Sequence, residues 1–284
     1  MLRTVPVDCK ALVTVPQFES YLRPPGKPLV VKGWTHSWRA LSTWSFEFFR
    51  TNYGEDLISL AAVTDEREFE LDVTLRDYIN YIVGPRENSA LEPLARSHKL
   101  NTPFYCLSYK PFRSHPELLD DFTFPPFVAT WWSFFNESFT RSHFPQDPGW
   151  LFLGARNSVA KLHKDSHHTF TWLAQVLGRK ACYLFAPEDA EAIYRGDVDP
   201  ANPDWARFPR LQDATAHVCV LNPGEMLFLP ADWWHHVIAL DDVITISYNF
   251  INHINLGDYL RRVFGAQLPD LLALLPSELP STPA

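Results

Sequence analysis

A mainly β fold, a sandwich or barrel with flanking helices, is predicted for this chain by three observations. From about Phe104 onward the sequence breaks into short segments rich in β-branched and aromatic residues, bounded by Gly, Pro, Asn or Asp. Its 24 prolines are scattered as punctuation rather than gathered in one linker. Hydrophobic residues make up 46% of the 284 positions and aromatics 14%, enough for a thick core.

The elements follow in chain order. Residues 1–103 are expected to form a mixed α/β region that packs on the core. In it, Pro28–Val31 running into Gly33 is a short strand, and Leu57–Val63 is another. Thr43–Arg50 is expected as a helix opened by Ser42 or Thr43 and closed near Gly54. Thr74–Val83 has apolar residues at helical spacing, with Thr74 placed to cap it and Gly84 to stop it. Residues 104–254 are expected as the strand-rich core. Its strands are read at 104–109, 150–154, 161–165, 170–176, 180–185, 218–221, 226–229, 235–239 and 243–250. Residues 255–284 turn helical from Asn255 through Leu256, Tyr259, Leu260 and Val263, then run into a Pro-rich tail whose end is expected to fray.

Charge and cysteine usage exclude several classes. The formal net charge is -8 and no basic run occurs, which argues against a nucleic-acid partner. Cys9, Cys106, Cys182 and Cys219 are widely spaced without a Cys-x-x-Cys pair, so neither a structural zinc site nor a secreted disulfide framework is expected. The N-terminus lacks the apolar run of a signal peptide, and no stretch is long enough to span a membrane. A soluble, cytoplasmic protein is the expectation.

The chemistry is written in His163-Lys164-Asp165 and, much later, in Pro230-Ala231-Asp232-Trp233-Trp234-His235-His236. Residues two apart on a strand project from one face, so His163 and Asp165 can aim an imidazole and a carboxylate at one point. Alone, His-x-Asp is a weak motif, more often a solvated or satisfied pair than a ligand set. With a second histidine on a distant strand the donor set becomes two imidazoles and one carboxylate. That is the facial triad of non-haem Fe(II) oxygenases. His235 and His236 are rivals for the second imidazole, and parity does not choose between them.

The stretches WLFLGARNSVAKLHKD, WLAQVLGRKACYLFAPEDA, NPGEMLFLPADWWHHV and ITISYNF, in that order and spacing, resemble the Jumonji-C hydroxylases. The likeness is nearest to the cupin-like branch that holds the asparaginyl hydroxylase of hypoxia-inducible factor. It extends to VDPANPDWARFP and, upstream, to PGKPLVVKGW, and covers most of residues 17–250. It implies a double-stranded β-helix (jelly-roll, cupin-like) core that binds Fe(II) and takes 2-oxoglutarate as co-substrate.

Residue by residue, the resemblance places the iron ligands at His163, Asp165 and His235, taking the first histidine after the tryptophan pair. It gives Lys180 to the distal carboxylate of 2-oxoglutarate; a buried carboxylate needs such a cation. Arg179 then falls on the solvated side. Tyr105 and Thr171 resemble positions that help hold the co-substrate, and Asn249 resembles an asparagine near the metal. Thr171 stands where the asparaginyl hydroxylase has asparagine, and Ala160 where it has threonine. His167 and His168 fall in a small insertion and are read as polar lining or surface.

The implied function is oxygen-dependent hydroxylation of a carbon in a polypeptide or peptide side chain, giving succinate and carbon dioxide. The same machinery serves N-demethylases and tRNA-modifying oxygenases, and a silent cupin-like binding module would share the fold. Trp131, Trp132, Phe134 and Phe135 either line the substrate's approach or pack the core. The apolar positions of 256–264, followed by Leu268, Leu271, Leu272, Leu274 and Leu275, either cover the barrel or carry a homodimer through C-terminal helices.

Overall fold

A computed structural model of the chain describes residues 1–63, 68–85, 89–128, 130–132 and 149–265. Two short strands come first, β1 (Arg3–Pro6) and β2 (Asp8–Lys10). Helix α1 (Val15–Leu22) follows. Thr14 and Gln17 close it with a capping box, each side chain answering the other's backbone N–H. After β3 (Leu29–Lys32) and the short α2 (Ala40–Thr43), α3 spans Phe46–Tyr53. Its N-cap is Ser45, which accepts from the Phe48 N–H, rather than the expected Ser42 or Thr43. Those two residues lie in α2, where their hydroxyls donate back to the Arg39 carbonyl.

The hairpin of β4 (Leu57–Val63) and β5 (Glu68–Thr74) leads directly into α4 (Leu75–Val83), with Thr74 as its N-cap and Gly84 at its C-cap. Then come α5 (Leu91–Ser97) and β6 (Tyr105–Tyr109).

The remaining strands are β7 (Gly149–Gly154), β8 (Val159–His163), β9 (Phe170–Leu177), β10 (Lys180–Phe185), β11 (Thr215–Leu221), β12 (Glu225–Leu229), β13 (Trp234–Ala239) and β14 (Val243–Phe250). Among the described residues they lie in two sheets. One runs β1-β11-β10-β13-β8 and the other β2-β3-β12-β9-β14-β7-β6-β4-β5. From β7 onward the chain crosses between the sheets at every step except the β10–β11 hairpin, which stays in the smaller sheet, and this makes the jelly roll of a double-stranded β-helix. Helix α6 (Leu256–Phe264) closes the described chain.

Two apolar layers hold this arrangement. Val30, Leu173, Cys182, Leu184, Leu227 and Val237 meet between the sheets. Outside the larger sheet, Phe18, Phe49, Tyr78, Trp172 and Phe228 join the N-terminal helices to its other face. Strands β9 and β12 are therefore covered on both faces, and every residue of EMLFL is buried. The N-terminal region is thus built into the sheets, since β2 and β3 extend the larger one at one end and β4 and β5 at the other.

The expected C-terminal helix is present as α6. Leu268, Leu271, Leu272, Leu274 and Leu275 lie outside the described residues, as do Phe134 and Phe135.

Candidate metal centre

Strands β8 and β13 pair antiparallel with His163 opposite His235 and Ala160 opposite Val237. Three steps along β8 therefore match two along β13, which is a β-bulge. The extra residue turns the strand so that Ala160 and His163, an odd number of residues apart, both line one cavity of about 400 Å³. Strand parity alone places His163 and Asp165 together on a strand running to 165. In the fold β8 ends at His163, and Asp165 follows as the extended residue before the short 3-10 turn Ser166–His168. Its carboxylate reaches the histidines all the same. Ligand atoms of His163, Asp165 and His235 lie within 4.8 Å of one another.

The hydrogen bonds around this cluster set it up for a cation. Nδ1 of His163 lies 2.6 Å from the Lys161 carbonyl, and Nδ1 of His235 lies 3.3 Å from the Trp233 carbonyl. A carbonyl can only accept, so each Nδ1 is the donor to the backbone and each Nε2 is left as the ligand atom. Burial first, and then the neighbouring His163, hold His235 well below the usual histidine pKa. It is neutral at pH 7, as a metal ligand must be. The Thr171 hydroxyl donates to Oδ2 of Asp165 and fixes that carboxylate.

His236, the rival ligand, is buried on the other face of β13. Its ring packs against Tyr183, and its Nε2 lies 3.6 Å from Asp199. His167 lines the cavity, whereas His168 is turned away and meets Asp232 at 2.7 Å.

Lys180 lines the same cavity at the start of β10. The chain reaches it through a tight corner at Gly178, whose φ is +67° and where a side chain would strike the Asp242 carbonyl. Arg179 points outward and is paired with Asp241 at 2.7 Å. Lys180 is 1% exposed, with Nζ 5.4 Å from the Phe152 ring centre and 5.5 Å from that of Tyr105. It forms no ion pair with a described carboxylate. Burial pushes its pKa down to about 7. An ammonium so placed is a seat for an anion that arrives from outside.

Of the other expected residues, Tyr105, Thr171 and Asn249 all line the cavity. Asn249 donates to Thr169 and its carbonyl accepts from Trp132 Nε1, both at 2.8 Å. Sequence reasoning did not single out Trp150, Phe152 or Tyr259, which also form the wall. Their aromatic character resembles that of the core, so nothing in the letters sets them apart. Trp132 lines the cavity, and Trp131 packs with His253.

Residues 15–255 match the family described as Cupin-like domain. The chain belongs to the cupin-like domain family. Among relatives of this cupin-like chain, lysine-specific demethylase 8 of Danio rerio is 28% identical over 247 residues, covering 82% of this chain and 55% of that protein. The 2-oxoglutarate and iron-dependent oxygenase JMJD4 of Mus musculus is 26% identical over 257 residues, covering 82% and 57%. HSPB1-associated protein 1 of Rattus norvegicus is 36% identical over 124 residues, covering 40% and 25%. The chain spans about half the length of lysine-specific demethylase 8, 55% in the fish protein and 49% in that of Xenopus tropicalis.

The donor set fits the iron and 2-oxoglutarate that the resemblance implies. Two imidazoles and a carboxylate on one side of an octahedral ion leave the opposite face open. The buried lysine, which has no carboxylate partner among the described residues, supplies the charge that a dicarboxylate requires.

Proposed function

We propose that this cupin-like protein is an Fe(II)- and 2-oxoglutarate-dependent oxygenase that hydroxylates a carbon of a protein or peptide side chain. The observation that carries this is the conjunction of the His163, Asp165 and His235 cluster with the buried Lys180 in one cavity. When bound, Fe(II) and 2-oxoglutarate supply the oxidising power, with dioxygen consumed and succinate and carbon dioxide formed.

The chain's own residues do the rest. His163, Asp165 and His235 would hold the metal, with Nδ1 of each histidine steadied by a backbone carbonyl. Lys180 would receive the distal carboxylate, and the rings of Tyr105 and Phe152 would exclude water from that pair. Trp132, Trp150 and Tyr259 line the same cavity, and a side chain offered by a peptide would approach the metal beside the exposed His163. Relatives named as oxygenases and demethylases support a protein substrate. Four unpaired cysteines suit a reducing compartment, and the cytoplasm is the proposed setting. No described helix is long and apolar enough to cross a membrane.

The deciding experiment adds 2-oxoglutarate to the Fe(II) protein without oxygen and records the visible spectrum. A bound keto-acid gives a metal-to-ligand band, which neither a silent binding module nor a cupin lacking a keto-acid site would develop. A second reading, N-demethylation, is favoured by the names of relatives such as lysine-specific demethylase 8. Aerobic turnover with peptide pools separates the two, since a gain of one oxygen marks hydroxylation and release of formaldehyde marks demethylation.

A further inference from the structure

A carboxylate outside the metal cluster ties one wall of the cavity to the segments that carry the cluster. Asp232 lies in the turn that leads into β13, and its side chain is 11% exposed. Arg262 of α6 donates to it twice, at 3.0 and 2.7 Å. Nδ1 of His168 lies 2.7 Å away and Nζ of Lys164 3.6 Å away. Lys164 and His168 bracket Asp165 in the chain, and Asp232 closely precedes His235. One carboxylate therefore contacts both metal-bearing segments and the C-terminal helix.

Further bonds reinforce the junction. Nε2 of His168 lies 3.6 Å from Asp258 on α6, and the His168 carbonyl accepts from Asn255 at 2.8 Å. The backbone is held in unusual conformations there, with φ of +63° at His167, +59° at His168 and +63° at Asp232. Non-glycine residues stay in the left-handed region only where their surroundings over-determine them. Three such residues at one junction indicate geometry kept for a purpose.

That purpose can be traced to Tyr259, one helical turn before Arg262. Its ring lines the cavity and packs edge-on against Trp132, with centroids 5.5 Å apart. The apolar face of α6 forms its own small cluster with Ile251, separate from the layers inside and outside the barrel. The helix can therefore loosen without opening either main core, and such locally stabilised units are the ones that open first.

We propose, on the basis of the oxygenase function above, that Asp232 is a positioning residue that clamps α6 to the metal-bearing segments. The clamp keeps the Tyr259–Trp132 wall closed, and so governs how fast molecules enter and leave the cavity.

The test uses stopped-flow mixing of the Fe(II) protein with 2-oxoglutarate without oxygen, followed through the visible band, together with hydrogen exchange of residues 256–264. Arg262→Gln removes the paired donors, and His168→Asn cuts the second arm. In both, entry and release should quicken together by about tenfold, the factor equivalent to about 1.4 kcal/mol, leaving Kd unchanged. Amides of α6 should lose protection while those of the barrel strands keep theirs. Arg262→Lys, which keeps the charge, should return most of the way to wild type. A purely structural role would alter Kd or unfold the chain without quickening both rates alike.

Wild-type rates in either of the first two variants would overturn the clamp. If the wild-type protein shows no visible band, the oxygenase function fails instead. Hydrogen exchange then decides the clamp alone, with unchanged protection of α6 in Arg262→Gln counting against it.

Discussion

His163 and His235 face each other across the β8–β13 pair with ring centroids 4.1 Å apart, and a bulge between them and Val237 makes that meeting possible. Without the extra residue in β8, either Ala160 or His163 would point away from the cavity. The candidate metal centre thus depends on a backbone irregularity as much as on its three side chains.

Substituting His163, Asp165 or His235 by Ala should abolish specific metal binding, a larger effect than the roughly 10–100-fold that loss of an outer-shell partner costs. His236→Ala should keep it, because that ring lies on the opposite face of β13 among Tyr183 and Asp199. Titration with Co(II), followed by its visible absorption, measures both. Equal loss in His235→Ala and His236→Ala would remove the basis for choosing between them.

The hydroxyl of Thr171 gives a second, graded prediction. It donates to Asp165, so Thr171→Val leaves one carboxylate oxygen unsupported in a half-buried site. Metal affinity should fall by about 10–100-fold, and Thr171→Ser should restore it. Competition with a chelator of known affinity provides the measurement.

The strand-rich core, the capping role of Thr74 and the stop at Gly84 were legible because each rests on local chemistry. The family resemblance pointed to Lys180 and to the segments carrying His163, Asp165 and His235, and the fold brings all four to one cavity. The bulge was not legible, since a strand's alternation gives no sign of an inserted residue. Strand β5 went unread because Glu70 and Asp72 disfavour strands, yet they are exposed on an edge where charge blocks further pairing, while Leu71 and Val73 are half-buried. Helix α1 had a readable signal in Thr14 and Gln17 that was overlooked. The Asp232 junction depends on contacts between distant segments, which no local pattern announces.

Lys180 leads to opposite effects on stability and on binding. Replacing it with Met removes a costly buried cation and retains most of its volume. The protein without co-substrate should therefore melt at a higher temperature than wild type. The same variant should lose the stabilisation that 2-oxoglutarate confers. Breaking a desolvated ion pair costs about 3–5 kcal/mol, which is a loss in affinity of about two to four orders of magnitude. Melting curves with and without 2-oxoglutarate test both halves, and an unchanged co-substrate shift in Lys180→Met would place the anchor elsewhere.

The depressed pKa of Lys180 also fixes the pH dependence of both properties. Burial lowers it from the ordinary 10.5 to about 7 in the protein without co-substrate. Between those values the unfolded chain carries a proton on this lysine that the folded chain does not, so stability rises as pH increases from about 7 toward 10.5. Below pH 7 both forms are protonated, and the cost of the buried charge is felt in full. Binding has the reverse dependence. The arriving carboxylate favours the ammonium, so above pH 7 each molecule bound must draw a proton from solution, and affinity should fall as pH rises. Calorimetry of 2-oxoglutarate binding at pH 8 in buffers of different ionisation enthalpy reads this uptake directly. Wild type should take up close to one proton and Lys180→Met none through this site. An uptake equal in the two proteins would show that the titrating group is not Lys180.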